Sequence, residues 1–398
     1  MNAMNKTLLY KLKRNVVLDY FCTFVTNLNM QSCIWVLYLG FCGLSLGQIG
    51  LLEGIYHITS MIFEVPSGAI ADLLGRKRSM LVSKFCIALS CLIMLYSRNF
   101  WLFGLSFFIQ AIGNNFNSGS EEALIYDSMK AVGEEDRYIG VNGKLNVIIE
   151  VSQSIAVVIG GILAEYSFFW CYGASLIIAL LAFVPVLAMT EAPFEREEKK
   201  TENMLVMLKN HFGASLGILK EDPRIGRIVI FFAGIFASHT LLYFYSQQYF
   251  FDLGYNKIQI SLFMLIYSVF CCVGAYFSDK IFERFGKKIG VLAAFAMAVA
   301  IGCFGFENTI LAVVMISIAG FCNSLLYPIQ SGMLNSLIPS EQRATLISVN
   351  SMFFSVAMII IFPVVGFVSD QIGLGRSFLG IGFVLLGFTL LWCRRMVE

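Results

Sequence analysis

The sequence predicts an all-α integral membrane protein: twelve transmembrane helices in two six-helix bundles, with both termini cytoplasmic. Three observations predict it. Of 398 residues, 58% are apolar and only 14% charged, with a mean hydropathy of +0.76, whereas soluble domains hold about 45–50% apolar residues. The apolar residues gather into twelve runs, each long enough for a helix to cross a bilayer core, which takes roughly 20 residues. The bases fall almost wholly in alternate loops.

Six runs lie near residues 16–39, 48–71, 79–97, 100–127, 141–165 and 168–190. Six more lie near 227–251, 258–282, 288–306, 308–337, 344–369 and 375–393. Each is read as helix because hydrocarbon offers no water to backbone N–H and C=O groups, so a spanning segment must satisfy them itself. The first run follows Lys6, Lys11, Lys13 and Arg14. It is too long for a signal-peptide core and has no small-residue cleavage site, so it is a retained first span.

Placing the N-terminus in the cytoplasm puts 25 of the 28 Lys and Arg on the inner side, with Lys84 counted in the loop before span 3. Only Arg98, Lys257 and Arg376 fall outside. That bias orients the chain. Residues 191–226 form the longest polar stretch; there Leu205, Leu208, Phe212, Leu216 and Leu219 recur every three or four residues, as on an amphipathic surface helix. The organisation is therefore 1–190, a cytoplasmic linker at 191–226, and 227–398.

A repeat crosses that linker. "QIGLLEGIY" (48–56) and "QISLFMLIY" (259–267) align at an offset of 211. The same offset carries Asp72, Gly75, Arg76 and Lys77 onto Glu283, Gly286, Lys287 and Lys288, while Gly68 meets Asp279. A duplicated six-helix unit is the mark of a secondary transporter.

"GAIADLLGRKR" (68–78) resembles the loop 2–3 signature of the major facilitator superfamily, with Gly68, Asp72, Gly75, Arg76 and Lys77 matching its residue types. With the span count and the repeat, the resemblance covers essentially the whole chain, which is similar to the bacterial drug/proton-antiporter-like members. Physically, glycines let the chain turn sharply and the bases hold the loop inside. The resemblance implies more: a conformational latch of Gly68, Asp72, Gly75, Arg76, Lys77 and Asp127, repeated at Glu283, Gly286 and Lys287. In it Asp72 faces the start of span 11, and Arg76 pairs with Asp127. The competing reading of the loop is a topology signal alone.

Ionisable groups at bilayer depth are costly and mark function. Glu53, Glu121, Glu122 and Glu150 are the candidates for carrying a proton, against a reading of each as an interfacial carboxylate or a fixed partner of Lys144 or Arg137. In the superfamily, spans 1, 4, 7 and 10 line the cavity. The resemblance therefore implies Asn27, Gln31, Asn114, Asn117, His239, Tyr243, Gln247, Asn323 and Tyr327 as cavity candidates. Amides and phenols beside many aromatics suit an amphipathic cargo; the same Asn and Gln also bind helices together. Two departures stand out. Span 4 has no Arg in "LSFFIQAIGNNF", and span 5 keeps Gly160 and Gly161 but lacks the Gly-Pro kink of many exporters.

The leading function is a secondary active transporter of a small organic solute, proton-coupled and exporting. The alternatives are an uptake carrier for a nutrient or metabolite, and a non-transporting membrane sensor of the same fold. No enzyme motif is present: there is no H-E-x-x-H, Walker loop or G-x-S-x-G, and only His57, His211 and His239. A net charge of +2 gives no basic face for nucleic acid. The 11 cysteines contain no C-x-x-C pair, so neither metal nor cofactor is expected. Partners are the solute, membrane lipid and protons, in a monomer of a bacterial plasma (inner) membrane.

Overall fold

A computed structural model describes residues 6–193, 222–286, 288–337 and 343–397, with Val206, Gly213, Gly217, Leu219 and Lys220. Of the five apolar residues that make the linker amphipathic, Leu205, Leu208, Phe212 and Leu216 lie outside the described residues, as does Lys287. Among the described residues there are fifteen α-helices, one 3-10 turn at Glu135–Arg137 and no strand.

The helices fall on the twelve predicted spans. Span 1 holds α1 (Lys6–Asn27) and α2 (Trp35–Phe41). Spans 2 and 3 are α3 (Leu46–Leu74) and α4 (Arg76–Tyr96). Span 4 holds α5 (Phe100–Asn117) and α6 (Ser120–Ala131), span 5 is α7 (Tyr138–Tyr166), and span 6 holds α8 (Phe168–Leu181) and α9 (Phe183–Ala188). The second half runs α10 (Pro223–Asp252), α11 (Lys257–Phe285), α12 (Lys288–Phe304), α13 (Thr309–Asn335), α14 (Arg343–Ile372) and α15 (Leu374–Val397). Eight of these spans are long and apolar enough to cross a membrane on length and composition alone. The other four are α3, with its polar groups, the 17-residue α12, and the two runs broken at 28–34 and at Ser118–Gly119.

Each break has a local cause. Gly119 has φ +73°, a conformation that glycine adopts without steric penalty, and Asn117 is followed there by a new first turn with Glu121 and Glu122. Between α1 and α2 the polar run Asn27, Asn29, Gln31, Ser32 interrupts the helix. The freed Met30 carbonyl accepts from Cys171 Sγ at 3.3 Å and lies over Gly160, where any Cβ would collide with it. Backbone freed at membrane depth is thus satisfied by a neighbouring helix.

The repeat is visible in backbone hydrogen bonds. Gly43 N and Leu44 N donate to Gly40 O and Leu39 O at 2.9 and 3.1 Å; 211 residues on, Gly254 N and Tyr255 N donate to Phe251 O and Phe250 O at 2.9 and 3.2 Å. Ser45 and Gln48 cap α3 reciprocally, 3.0 and 3.3 Å. Asn256 and Gln259 cap α11 the same way, 3.1 and 2.9 Å. Capping boxes of this kind satisfy N–H groups that the helix cannot. Gly75 (φ +100°) and Gly286 (φ +58°) each turn the chain into the next helix.

By contacts the chain divides into two compact units. Residues 1–32 and 59–209 form one; 33–58 and 210–398 form the other. In the first, α4 packs along α5 and α8, and α1 along α7 and α6. In the second, α11 packs on α13, α12 on α13 and α15, and α10 on α14 and α2. Among the long membrane-spanning helices of its unit, α10 is the most enclosed.

Candidate functional site

The first unit buries a charged cluster. Asp19 (1% exposed) and Lys84 (2% exposed) both lie inside apolar helices. Glu121, in the first turn of α6, lies within hydrogen-bonding reach of Asp19, and two carboxyls that close cannot both ionise at low cost. Thr23 Oγ1 donates to Glu121 Oε1 at 3.4 Å, and Asn117 Nδ2 donates to Glu121 Oε2. Lys84 Nζ donates to Asn117 Oδ1 at 3.1 Å and Thr26 Oγ1 at 3.2 Å. Its charge also acts on Asp19. Two acids, one base and neutral donors are therefore gathered in one largely buried cluster, where an unpaired charge would be costly.

Sequence reasoning found Glu121 and Asn117 but missed Asp19 and placed Lys84 in a loop. The structure corrects the latter: Lys84 stands two turns inside α4, and removing it from the loop count leaves the bias of bases intact. The signal was present, since "VVLDYF" and "LVSKFC" each set one charge among apolar neighbours.

The other proton candidates scatter. Glu53 is buried, with Oε1 3.6 Å from His57 Nε2, and His57 Nδ1 lies 3.2 Å from Ser355 Oγ. Glu122 and Glu150 are exposed.

Of the cavity candidates in the first unit, Asn27 donates to Thr23 O at 2.8 Å and accepts from Gln153 at 3.2 Å. Asn117 belongs to the charged cluster. Gln31 is half-buried, its Oε1 without a hydrogen-bond partner, and Asn114 is exposed. In the second unit, His239 is buried with Nε2 3.1 Å from Tyr267 OH. Tyr243 packs on the same Tyr267 ring, centroids 5.1 Å apart. Gln247 is fully buried, Asn323 is half-buried and Tyr327 exposed.

The glycine turn between α3 and α4 is held by a residue outside the predicted latch. Glu191 accepts from Arg76 N at 2.8 Å and Lys77 N at 3.0 Å, placing a carboxylate on the positive end of α4. Lys77 Nζ donates to Leu187 O (2.8 Å) and Met189 O (2.7 Å), and Arg14 to Ala188 O (2.8 Å), so cations meet the last carbonyls of α9. Arg76 pairs with Asp72 one turn back, at 3.2 Å, and its charge also reaches Asp127. Gly68 faces open space; Glu283 is exposed.

A model of the Major Facilitator Superfamily matches residues 16–362 and 240–397. The chain is 26% identical over 384 residues to the uncharacterized MFS-type transporter YxaM of Bacillus subtilis, covering 90% of each. It is 24% identical over 320 residues to the quinolone resistance protein NorA of Staphylococcus aureus, covering 78% of each. Among solved structures it superposes on the nucleoside transporter NupG with a TM-score of 0.72 at 14% identity, over 100% of this chain and 98% of that one. A D-xylose–proton symporter gives 0.68 at 15% identity, over 97% and 96%. These two likenesses show the fold.

Proposed function

Because the chain belongs to the Major Facilitator Superfamily of multi-pass membrane transporters, we propose that it moves a small, amphipathic organic solute by alternating access, driven by protons and directed outward. The carrying observation is the buried group of Asp19, Glu121 and Lys84. One proton shared by the two acids balances Lys84; loss of that proton leaves the cluster one charge short. Gain and loss of that proton can thereby be coupled to movement of a solute held elsewhere in the protein.

Outward direction is supported by the similarity to NorA, whose name records quinolone resistance. Solute contacts are assigned to the amides and rings Gln31 and Asn114 in the first unit and Tyr243, Gln247, Asn323 and Tyr327 in the second. The latch role is assigned to the Asp72–Arg76 turn with Asp127. The bases are taken to lie in the cytoplasm of a bacterial cell, both termini with them.

The test is flux in proteoliposomes under an imposed pH gradient, against a panel of solutes. Flux opposite to proton flow is expected, abolished in Asp19→Asn and in Glu121→Gln. Flux that ignores the gradient, or survives both substitutions, overturns the coupling. Accumulation along the direction of proton entry overturns export.

A further inference from the structure

A helix leaves its first four N–H groups without partners inside itself. In α3 all four are met, and two of them from far away in the chain. Gln48 N donates to Ser45 Oγ at 3.3 Å, and Ile49 N to Ser45 O at 2.9 Å. Leu46 N and Gly47 N donate to Oδ1 and Oδ2 of Asp370, at 2.9 and 3.0 Å. Asp370 stands in the last turn of α14 and is exposed.

Around this carboxylate, α3 and α14 touch backbone to backbone. A Cβ on Gly50 would stand 2.6 Å from Phe362 O, one on Gly47 would strike the Phe367 ring, and one on Gly366 would strike the Leu46 carbonyl. Tyr245 OH bridges the same seam, 2.9 Å from Leu46 O and 3.3 Å from Phe362 O. Deeper along α3, His57 meets Ser355 at 3.2 Å. Residues 33–58 are packed with 210–398 by this seam, although the rest of α3 belongs to the other unit.

We infer that Asp370 is a positioning residue for transport: its carboxylate clasps the N-terminus of α3 and holds the α2–α3 end closed, and its release is a step of the cycle. The clasp suits release. Both partners lie where water can replace them, so separation leaves no orphaned group, while glycine contacts supply fit without a directional bond. The carboxylate also complements the positive pole of α3, an attraction that falls away within one turn of separation. The other end of α3, about 43 Å away for 29 residues, carries the Gly75 turn, which must close when the Asp370 end opens. The inference rests on the alternating access proposed above, but on neither solute nor proton.

The test is hydrogen–deuterium exchange of the full chain in lipid nanodiscs, without solute. Asp370→Asn should speed exchange across residues 44–52 and 355–372 by roughly fivefold, and slow it at residues 75–80. Asp370→Glu should stay within about twofold of the parent. Gly50→Ala, which forces the seam apart without touching charge, should reproduce the Asn pattern. Faster exchange at 44–52 with residues 75–80 unchanged reduces Asp370 to a local cap and overturns the clasp. So does unchanged exchange in Asp370→Asn, or a Glu variant that behaves like the Asn one. Loss of pH-driven flux in Asp19→Asn has no bearing on this readout, so the two proposals fail separately.

Discussion

Glu191 holds Arg76 by its backbone and not by its charge: Oε1 accepts from the Arg76 amide at 2.8 Å, while the guanidinium turns to Asp72 at 3.2 Å. The signature turn thus uses its helix pole and its side-chain charge on different partners. Helix-capping acids contribute about 1 kcal/mol. Glu191→Ala should lower stability by that amount, read as thermal unfolding in detergent, and Glu191→Gln should recover part of it.

Two glycines of the same turn should answer oppositely. Gly75 has φ +100° with Glu191 3.1 Å from any Cβ, so Gly75→Ala should cost about 1–2 kcal/mol. Gly68 is helical and faces open space, so Gly68→Ala should be neutral or stabilise by about 0.5–1 kcal/mol. Paired melting curves decide it.

Lys84 is the buried cation beside two acids. Lys84→Met should destabilise by about 3 kcal/mol, because breaking a buried charge group leaves the remainder uncompensated. The double variant Lys84→Met/Glu121→Gln should regain much of the loss. Equal melting temperatures for single and double variants would show that the charges do not act together.

The α1 base Lys13 reaches Glu134 at 2.6 Å, and Arg137 reaches the same carboxylate at 3.0 Å. Together, led by the Lys13 hydrogen bond, they hold the Glu134 carboxyl below its usual value of 4.5. A lowered folded-state value means that the stabilisation is present above the unfolded value and is lost as pH falls through the folded one. The melting difference between parent and Glu134→Gln should therefore be present at neutral pH and be lost as the pH falls below the usual carboxyl value of 4.5.

Gly160 lies under the Met30 carbonyl. Gly160→Ala should cost about 2–3 kcal/mol by overpacking, while Gly173→Ala, with open space around it, should cost nothing measurable. Detergent melting of the two variants separates packing from helix propensity.

The skeleton was legible because its physics is averaged over many residues: twenty apolar positions outvote one lysine, and 28 bases report orientation together. The capping boxes were half legible, since "QIG" and "QIS" aligned before their Ser45 and Asn256 partners were seen. The cluster was not. Asp19 and Lys84 each occupy one position, and nothing local says that Thr23, Asn117 and Glu121 converge on them from three helices. Glu191 was hidden for another reason: it follows a span, beside a charge run, where an acid is expected to be solvated. The break at 28–34 was read through because Met30 and Cys33 keep the window apolar.

The two halves of the sequence share their caps, turns and repeat, but their buried charge is unevenly placed. Among the described residues, the buried Asp, Glu, Lys and Arg are Asp19, Glu53 and Lys84, all before residue 85. A membrane potential does work only on charge, about 2.3 kcal/mol per elementary charge per 100 mV. Voltage therefore finds something to move around Asp19 and Lys84, and in the interior of α10 to α15 it finds only dipoles.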